Sequence, residues 1–280
     1  MNNINQPPEF RQKREPGEII NATLVFLRSE YRSLLKLTAI YVLPFMVLFA
    51  VTQVFLQIKI TEAAEVITEL EPERLVQELG GLYGNFLIII FFNVFVQSLF
   101  VALVYSYVQL YLEKGKGNFS ETEVANLLFP NSLKAITAGF VVTIFSLIGL
   151  IFCILPGIVI ANSLSLTVFI AIYENKELGY SLARSWALIK RQWWITFSLN
   201  VIGVLVVWLI SITITLPAVF YDYFGGTSTI VSDEVAHIPQ WRWWLSGLSV
   251  LVSSVAAIIP FMFLVFQYFN LAEREKEEIL

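Results

Sequence analysis

Residues 137–173 read TAGFVVTIFSLIGLIFCILPGIVIANSLSLTVFIAIY, and these 37 residues contain no charged side chain. A helix that crosses a membrane needs about 20 mainly apolar residues, so the stretch is long enough for two crossings. Leu155-Pro156-Gly157 interrupts it, and a proline followed by a glycine favours a tight turn. The sequence therefore predicts two spans, 137–155 and 157–173, joined by a hairpin at one face of a membrane.

The rest of the chain has the same character. It is 57% hydrophobic and only 14% charged, with a mean hydropathy of +0.71, whereas soluble proteins are about 25% charged. Four further apolar stretches are long enough to span: 37–58, 85–111, 194–217 and 245–269. We therefore predict an all-α polytopic membrane protein with six transmembrane helices. Its membrane domain covers 18–271, between a polar N-terminal tail (1–17) and a charged C-terminal tail (272–280).

The basic residues predict an orientation. Fifteen of the 18 Lys and Arg residues fall in the N-terminal segment, the second and fourth connections and the C-terminal tail. Because cytoplasmic loops carry the excess of Lys and Arg, both termini are expected in the cytoplasm. No short apolar segment precedes the first span, so no cleavable signal peptide is expected. We predict a multi-pass protein of a bacterial cytoplasmic (inner) membrane.

Two segments on the cytoplasmic side have the pattern of amphipathic helices that lie in the membrane plane. The predicted apolar faces are Ile20, Leu24, Leu27, Tyr31 and Leu34 in the first, and Leu178, Leu182, Trp186, Ile189 and Trp193 in the second. The basic residues beside them are candidate contacts for lipid headgroups: Arg28, Arg32, Arg184, Lys190 and Arg191.

The two segments are related by an offset of 162 positions, which pairs Leu24 with Trp186 and Arg28 with Lys190. A shorter version covers 121–133. One interpretation is that the chain consists of three units, each an in-plane helix followed by a transmembrane hairpin. The alternative is that any helix that enters a bilayer from a basic side has this pattern.

Residues for catalysis or metal binding are scarce. Cys153 is the single cysteine and His237 the single histidine, and His237 falls outside every predicted span. A serine nucleophile needs a histidine beside it, and a zinc site needs several Cys or His ligands. The net charge of −4, with no basic cluster, argues against nucleic-acid binding. We expect no catalytic residue, metal or cofactor.

Uncharged polar residues remain inside the predicted spans. Asn93, Gln97, Tyr105 and Gln109 form a stripe at four-residue spacing, and Asn162 and Asn200 fall in later spans. Such groups commonly bond across helices at about 0.6 kcal/mol each, and the sharper alternative is a polar pathway. Small residues at Gly149, Cys153 and Gly157, and at Ala135, Gly139 and Thr143, predict close helix approach. Bends are expected near Pro44, Pro217 and Pro260.

Several short motifs resemble a known family. They are Leu155-Pro156-Gly157-Ile158, the segments SLARSW (181–186) and KRQWW (190–194), and YFNLAER (268–274). Together they resemble the membrane-domain superfamily found in some glycerophosphoryl diester phosphodiesterases and in stand-alone bacterial inner-membrane proteins. The N-terminal REPGEIINAT (14–23) looks like the opening of a stand-alone version. The resemblance implies a membrane scaffold and no enzyme activity, since no residues remain to build a catalytic domain.

These observations favour a non-enzymatic membrane scaffold or accessory subunit that engages membrane lipid or a partner membrane protein. The rival function is a small transporter or channel for a neutral or amphiphilic solute, which would use the polar stripe at Asn93 and Gln97. A lipid-modifying enzyme ranks last. The oligomeric state, solute, lipid and partner are not predicted.

Overall fold

A computed structural model describes residues 8–66, 72–221, 223–224 and 239–279. These ranges fold into ten helices: α1 (Pro16–Tyr41), α2 (Leu43–Val66), α3 (Pro72–Lys114), α4 (Glu121–Phe152), α5 (Ile154–Ser163), α6 (Thr167–Tyr173), α7 (Leu178–Arg191), α8 (Trp193–Tyr221), α9 (Gln240–Ala256) and α10 (Ile258–Ile279). Asp222, His237 and the acidic residues Glu69, Glu71, Asp233 and Glu234 lie outside the described residues.

Six helical regions are long and apolar enough to cross a membrane: Leu43–Ile60, Ile88–Lys114, Glu121–Phe152, Ile154–Tyr173, Trp193–Tyr221 and Gln240–Glu277. Each contains most of one predicted span. The prediction of an all-α membrane protein with six such helices is therefore confirmed, and the chain is an integral membrane protein.

The helix breaks differ from the predicted boundaries. The predicted first span begins inside α1, which continues to Tyr41 and is separated from α2 only by Val42. The turn expected at Leu155-Pro156-Gly157 falls two residues earlier, at Cys153, whose backbone is extended. Proline is tolerated in the first turn of a helix, where its missing N–H is not needed. Pro156 therefore lies in the first turn of α5 and does not form the break.

Two predicted spans are each built from two helices. Residues 164–166 separate α5 from α6, and Ala257 separates α9 from α10 close to Pro260, where a bend was predicted. By contrast, α8 continues past Pro217. The helix predicted at 121–133 is not separate, because α4 runs through Pro130 without a break. The third copy of the proposed repeat therefore lacks the interruption of the other two.

The chain divides into two compact units. The first comprises residues 1–42, 97–205 and 257–280. Its centre is formed by one part of α3, Leu99–Tyr111, and one part of α10, Met262–Leu271, in which nearly every side chain is buried. A helix that is buried on all faces must be surrounded by other elements. α1, α6, α7 and the first part of α8 provide this covering, for example at Gly203, which packs against Pro260.

The second unit comprises residues 43–96 and 206–256. α2 packs against α9, and a hydrogen bond joins the Ser246 hydroxyl to Gln57 Oε1 at 2.7 Å. Ser211 and Ser249 are joined in the same way at 2.8 Å. Phe45 and Phe95 meet edge to face. These two polar contacts therefore bond helix to helix, whereas Thr52, Thr213 and Ser254 donate to carbonyls of their own helices.

Residues that are paired by the offset of 162 positions also match in burial. Thr23 and Ser185 are both buried, as are Phe26 and Leu188, whereas Leu24 and Trp186 are both exposed. The same offset places the buried stretch of α3 on the buried stretch of α10. These coincidences support two related copies, residues 16–114 and 178–276, with α4–α6 between them.

The described parts of both predicted tails belong to the first unit. Phe10 and Arg14 of the N-terminal tail are buried, and α10 continues through the charged tail to Ile279. Apolar and hydrogen-bonding groups in both segments pack on the first unit, as described below.

Candidate functional site

A network of buried amides lies at the centre of the first unit. The Asn270 amide donates to Gln192 Oε1 and to Gln267 Oε1, each at 3.1 Å. The Gln267 amide in turn donates to the Thr196 hydroxyl at 2.9 Å. Asn270 and Gln267 are three residues apart on α10, so they share one face, and Gln192 occupies the break between α7 and α8. We call Gln192, Thr196, Gln267 and Asn270 the amide network.

The segment before α1 is tied to this network. The backbone N–H of Arg14 donates to Asn270 Oδ1 at 3.0 Å, and the Arg274 guanidinium donates to the same oxygen at 3.0 Å. Phe10 stacks on Phe266 with ring centroids 4.7 Å apart and also contacts Phe26 of α1. Burial lowers the pKa of the Arg14 guanidinium, which lies over the Phe266 ring. We call residues 8–15 the N-terminal strap.

The strap leads directly into a well-capped helix. Pro16 occupies the first turn of α1, where its missing N–H is not needed. Glu15 and Glu18 form a reciprocal capping box, in which each side chain accepts from the other residue's backbone N–H. The sequence Arg14-Glu15-Pro16-Gly17-Glu18 therefore fixes where the strap ends and the helix starts.

Charged residues join α7 to α10. Glu275 accepts from Arg184 at 2.6 Å and pairs with Arg191 at 3.5 Å. The hydrogen bond that Arg184 donates to Glu275 raises the pKa of Arg184, although partial burial opposes this shift. Glu174 accepts from the Tyr268 hydroxyl at 2.6 Å. Arg184 and Arg191, which were predicted as contacts for lipid headgroups, both pair with Glu275 of α10, and their contact with lipid stays a prediction.

α1 has a buried face that was not predicted. Ile19, Phe26 and Leu37 are buried, together with Leu34, which was placed on the membrane-facing stripe. Glu30 was expected on the polar side, but it is buried and accepts from the Tyr107 hydroxyl at 2.7 Å. Lys116, from the connection after α3, neutralises it at 2.7 Å. A buried carboxylate needs such a partner.

The outward side of α1 carries apolar and basic residues in adjacent rows. Leu24, Tyr31 and Leu35 are exposed large hydrophobic residues. Arg28, Arg32 and Lys36 follow at four-residue steps, so they lie next to this stripe. On α7 the exposed Trp186 is followed four residues later by the exposed Lys190. We call Arg28, Arg32, Lys36 and Lys190 the basic edge.

The basic edge differs from the paired arginines in its contacts. Within the described ranges, Arg28 and Lys190 have neither an ion-pair partner nor a side-chain hydrogen bond. Arg32 donates only to the neighbouring Tyr31 hydroxyl, at 3.0 Å, and Lys36 pairs with the exposed Glu121. Three of the five predicted headgroup candidates, Arg28, Arg32 and Lys190, are therefore available to an external anion.

The predicted polar stripe is divided. Asn93 belongs to the second unit and Gln97 to the first, and both are half-buried. Tyr105 is buried against Phe169, with ring centroids 5.0 Å apart. Gln109 donates to Glu113 at 3.0 Å on its own helix. The stripe therefore does not present four side chains to one common space.

The structure brings Asn162 and Asn200 together. The Asn200 amide donates to Asn162 Oδ1 at 2.9 Å, and the Asn162 amide donates to the carbonyl of Trp193 at 3.1 Å. This arrangement is the helix-to-helix bonding that was weighed against a polar pathway. The site residues predicted from the sequence do not include Asn270 or Gln267. Their three-residue spacing, which places both on one face of a helix, is the pattern that could have identified them.

Among the residues that the structure describes, no cluster of three or more His, Cys, Asp or Glu side chains could hold a metal ion. In comparisons with known proteins, no family model, no curated protein and no solved structure matches this chain.

Proposed function

We propose that this protein is a non-enzymatic scaffold or accessory subunit of a bacterial cytoplasmic membrane that binds anionic phospholipid headgroups along its basic edge. The observation that carries the proposal is the pairing of exposed apolar side chains with unpaired cations on α1 and α7. Leu24 and Trp186 would enter the boundary of the acyl chains while Arg28 and Lys190 contact phosphates.

The charge distribution supports this placement. Basic residues near an anionic leaflet each contribute about 1 kcal/mol. The three available residues, Arg28, Arg32 and Lys190, would therefore favour an anionic surface by about 3 kcal/mol before any loss of side-chain entropy. The excess of Lys and Arg in the same connections supports a cytoplasmic location for this face and for both termini.

The bonding of polar residues favours a scaffold over a transporter. Asn162 bonds to Asn200, and Gln267 bonds to Thr196, so these amides serve packing within the first unit. Asn93 and Gln97 differ from these amides because they are half-buried. They are the residues on which the rival proposal depends, which is a small transporter or channel for a neutral or amphiphilic solute.

A lipid analysis tests the proposed function. After extraction in a mild detergent, the wild-type protein should retain anionic phospholipid above its share in the membrane. The combined variant R28Q/R32Q/K190Q should retain at least threefold less, while K276Q, which removes a cation outside the basic edge that pairs with Glu273, should not change retention. Equal retention by all three proteins would overturn the proposal.

Solute flux into liposomes tests the rival function. The scaffold proposal predicts flux no greater than in protein-free liposomes. If flux is found and the variant N93L/Q97L abolishes it without loss of protein, the polar stripe is a pathway and the chain is a transporter.

A further inference from the structure

The turn between α4 and α5 is made of apolar residues that point away from the protein. Ile151 and Phe152 are 82% and 83% exposed, and Ile154 and Leu155 are 68% and 71% exposed. Residues 150–158 read LIFCILPGI and contain no charged, amide or hydroxyl side chain. The turn joins two arms, α4 on one side and α5 with α6 on the other. The nearest charged residues in the sequence are Lys134 on the first arm and Glu174 after the second, both far from the turn. A turn in water would leave these four side chains hydrated.

The length of the arms gives the depth of this turn. Lys134 Nζ lies 2.5 Å from Asn175 Oδ1, so these residues mark the same level on the two arms. Eighteen residue steps separate Lys134 from Phe152 along α4, which is about 27 Å at about 1.5 Å per residue. The hydrocarbon layer is about 30 Å thick, and a typical tilt of about 20° shortens the reach further. With Lys134 and Asn175 at the inner boundary, the turn ends before the outer headgroups.

The backbone of the turn is partly hydrogen-bonded within the turn, although the carbonyls of Leu150, Ile151 and Phe152 have no backbone donor among the described residues. Cys153 N–H donates to the Gly149 carbonyl at 3.0 Å, and Gly157 N–H donates to the Cys153 carbonyl at 3.4 Å. Pro156 has no N–H to satisfy. Of the four N–H groups that a helix start normally leaves open, only those of Ile154 and Leu155 remain at the start of α5.

The two arms are pressed together just behind the turn. A Cβ atom on Gly149 would lie 2.9 Å from Gly157 Cα, and one on Gly157 would lie 2.4 Å from Leu150 Cγ. Only glycine permits this approach of the two backbones. The hairpin is therefore narrow at the turn, and the surface of the turn consists of apolar side chains.

We propose that the α4–α5 hairpin ends inside the hydrocarbon layer, where lipid acyl chains cover residues 150–158. The second of the three outer connections of the six-span protein then does not emerge into water. This inference does not depend on headgroup binding at the basic edge.

The native cysteine tests the proposal without altering the turn. Cys153 is the single cysteine of the chain, and its side chain is exposed. In intact spheroplasts, a membrane-impermeant sulfonated maleimide should label Cys153 at least tenfold more slowly than Gly80→Cys in a Cys153→Ala background. Lysis should not speed the labelling of Cys153, whereas denaturation in SDS should.

An inner control completes the experiment. Asn118→Cys, in the connection after α3, should be labelled only after lysis. Labelling of Cys153 within threefold of Gly80→Cys before lysis, or within threefold of Asn118→Cys after lysis, would overturn the proposal. If Asn118→Cys were labelled from outside and Gly80→Cys only after lysis, the proposed orientation would be wrong, yet a slow Cys153 would still support the buried turn.

A charge substitution gives a second readout. Leu155→Lys should reduce the amount of protein in the membrane at least fivefold relative to the control Gly80→Lys, because the ammonium would have to enter hydrocarbon. Equal accumulation of the two variants would place the turn in water and contradict the proposal.

Discussion

Asn270 makes more side-chain hydrogen bonds than any other amide of the amide network. Its oxygen accepts from the Arg14 backbone and from Arg274, and its nitrogen donates to Gln192 and Gln267. Asn270→Leu should lower the free energy of unfolding by roughly 2–4 kcal/mol, because several partners lose their bonds at once. Thermal unfolding in detergent measures the effect. Asn93→Leu, at a half-buried position, is the control and should change stability by less than about 0.5 kcal/mol.

Arg184 and Lys190 are both basic residues of α7, but they should behave differently. Arg184→Gln removes a partly buried partner of Glu275 and should lower stability by roughly 1–3 kcal/mol. Lys190→Gln should leave unfolding in detergent unchanged and reduce only the stabilisation by added anionic lipid. The opposite outcome, in which Lys190→Gln unfolds earlier and Arg184→Gln alters only the lipid response, would contradict the division made here.

Single residues explain where sequence reasoning succeeded and failed. Leu24 and Arg28 are exposed, in agreement with the helical periodicity, and their contact with a membrane stays a prediction. The burial of Glu30 was not predicted, because its partners Tyr107 and Lys116 are 77 and 86 positions away. The ion pairs of Arg184 and Arg191 with Glu275 were not predicted for the same reason, since Glu275 lies far away along the chain. Local patterns contain no information about such pairs.

The N-terminal strap is the element whose packing was least expected. Phe10→Ala should create a cavity among Phe26, Phe266 and Phe269 and cost about 3–5 kcal/mol if the strap stays in place. If the strap detaches, the expected result is rapid cleavage by trypsin after Arg11, Lys13 or Arg14. Glu9→Ala, which removes an exposed side chain of the same segment, is the matched control. Slow cleavage and unchanged stability of Phe10→Ala would contradict the observed packing.

The α4–α5 hairpin depends on two of its glycines and not on a third. Gly149→Ala and Gly157→Ala should each destabilise the protein by about 1–3 kcal/mol, since the added methyl group meets the opposite arm. Gly139→Ala should be neutral or slightly stabilising, because nothing lies within 4 Å of its Cβ position. Unfolding curves of the three variants check this order. The close approach predicted for Gly149 and Gly157 is confirmed, and the one predicted for Gly139 is wrong.

Element boundaries were harder to predict than element identity. Long apolar stretches predict helices because the bilayer requires them to satisfy their own backbone. The positions of the breaks at Val42 and Cys153 depend on how neighbouring elements pack, which no local pattern contains. The offset of 162 residues was visible in sequence only as similar residue character. Shared burial in α1 and α7, and in α3 and α10, supports the relationship between these copies more strongly.

At the scale of the whole molecule, charge is concentrated outside the spans. The 39 residues between Lys134 and Glu174 contain no ionisable side chain of the Asp, Glu, Lys, Arg or His type. Charged groups of the first unit instead hold α7 to α10, neutralise Glu30 or line the basic edge. Under the proposed function, the groups that recognise lipid lie at the surface of the bilayer.

The central claim is that the basic edge recognises anionic lipid, and differential thermal stabilisation tests it most directly. A ligand that binds only the folded state adds RT ln(1 + [L]/Kd) to stability, about 2.7 kcal/mol at 100 times Kd. We predict that phosphatidylglycerol raises the unfolding temperature of the wild-type protein well above the effect of phosphatidylcholine, and that R28Q/R32Q/K190Q loses most of this difference. An undiminished difference in that variant would contradict the account.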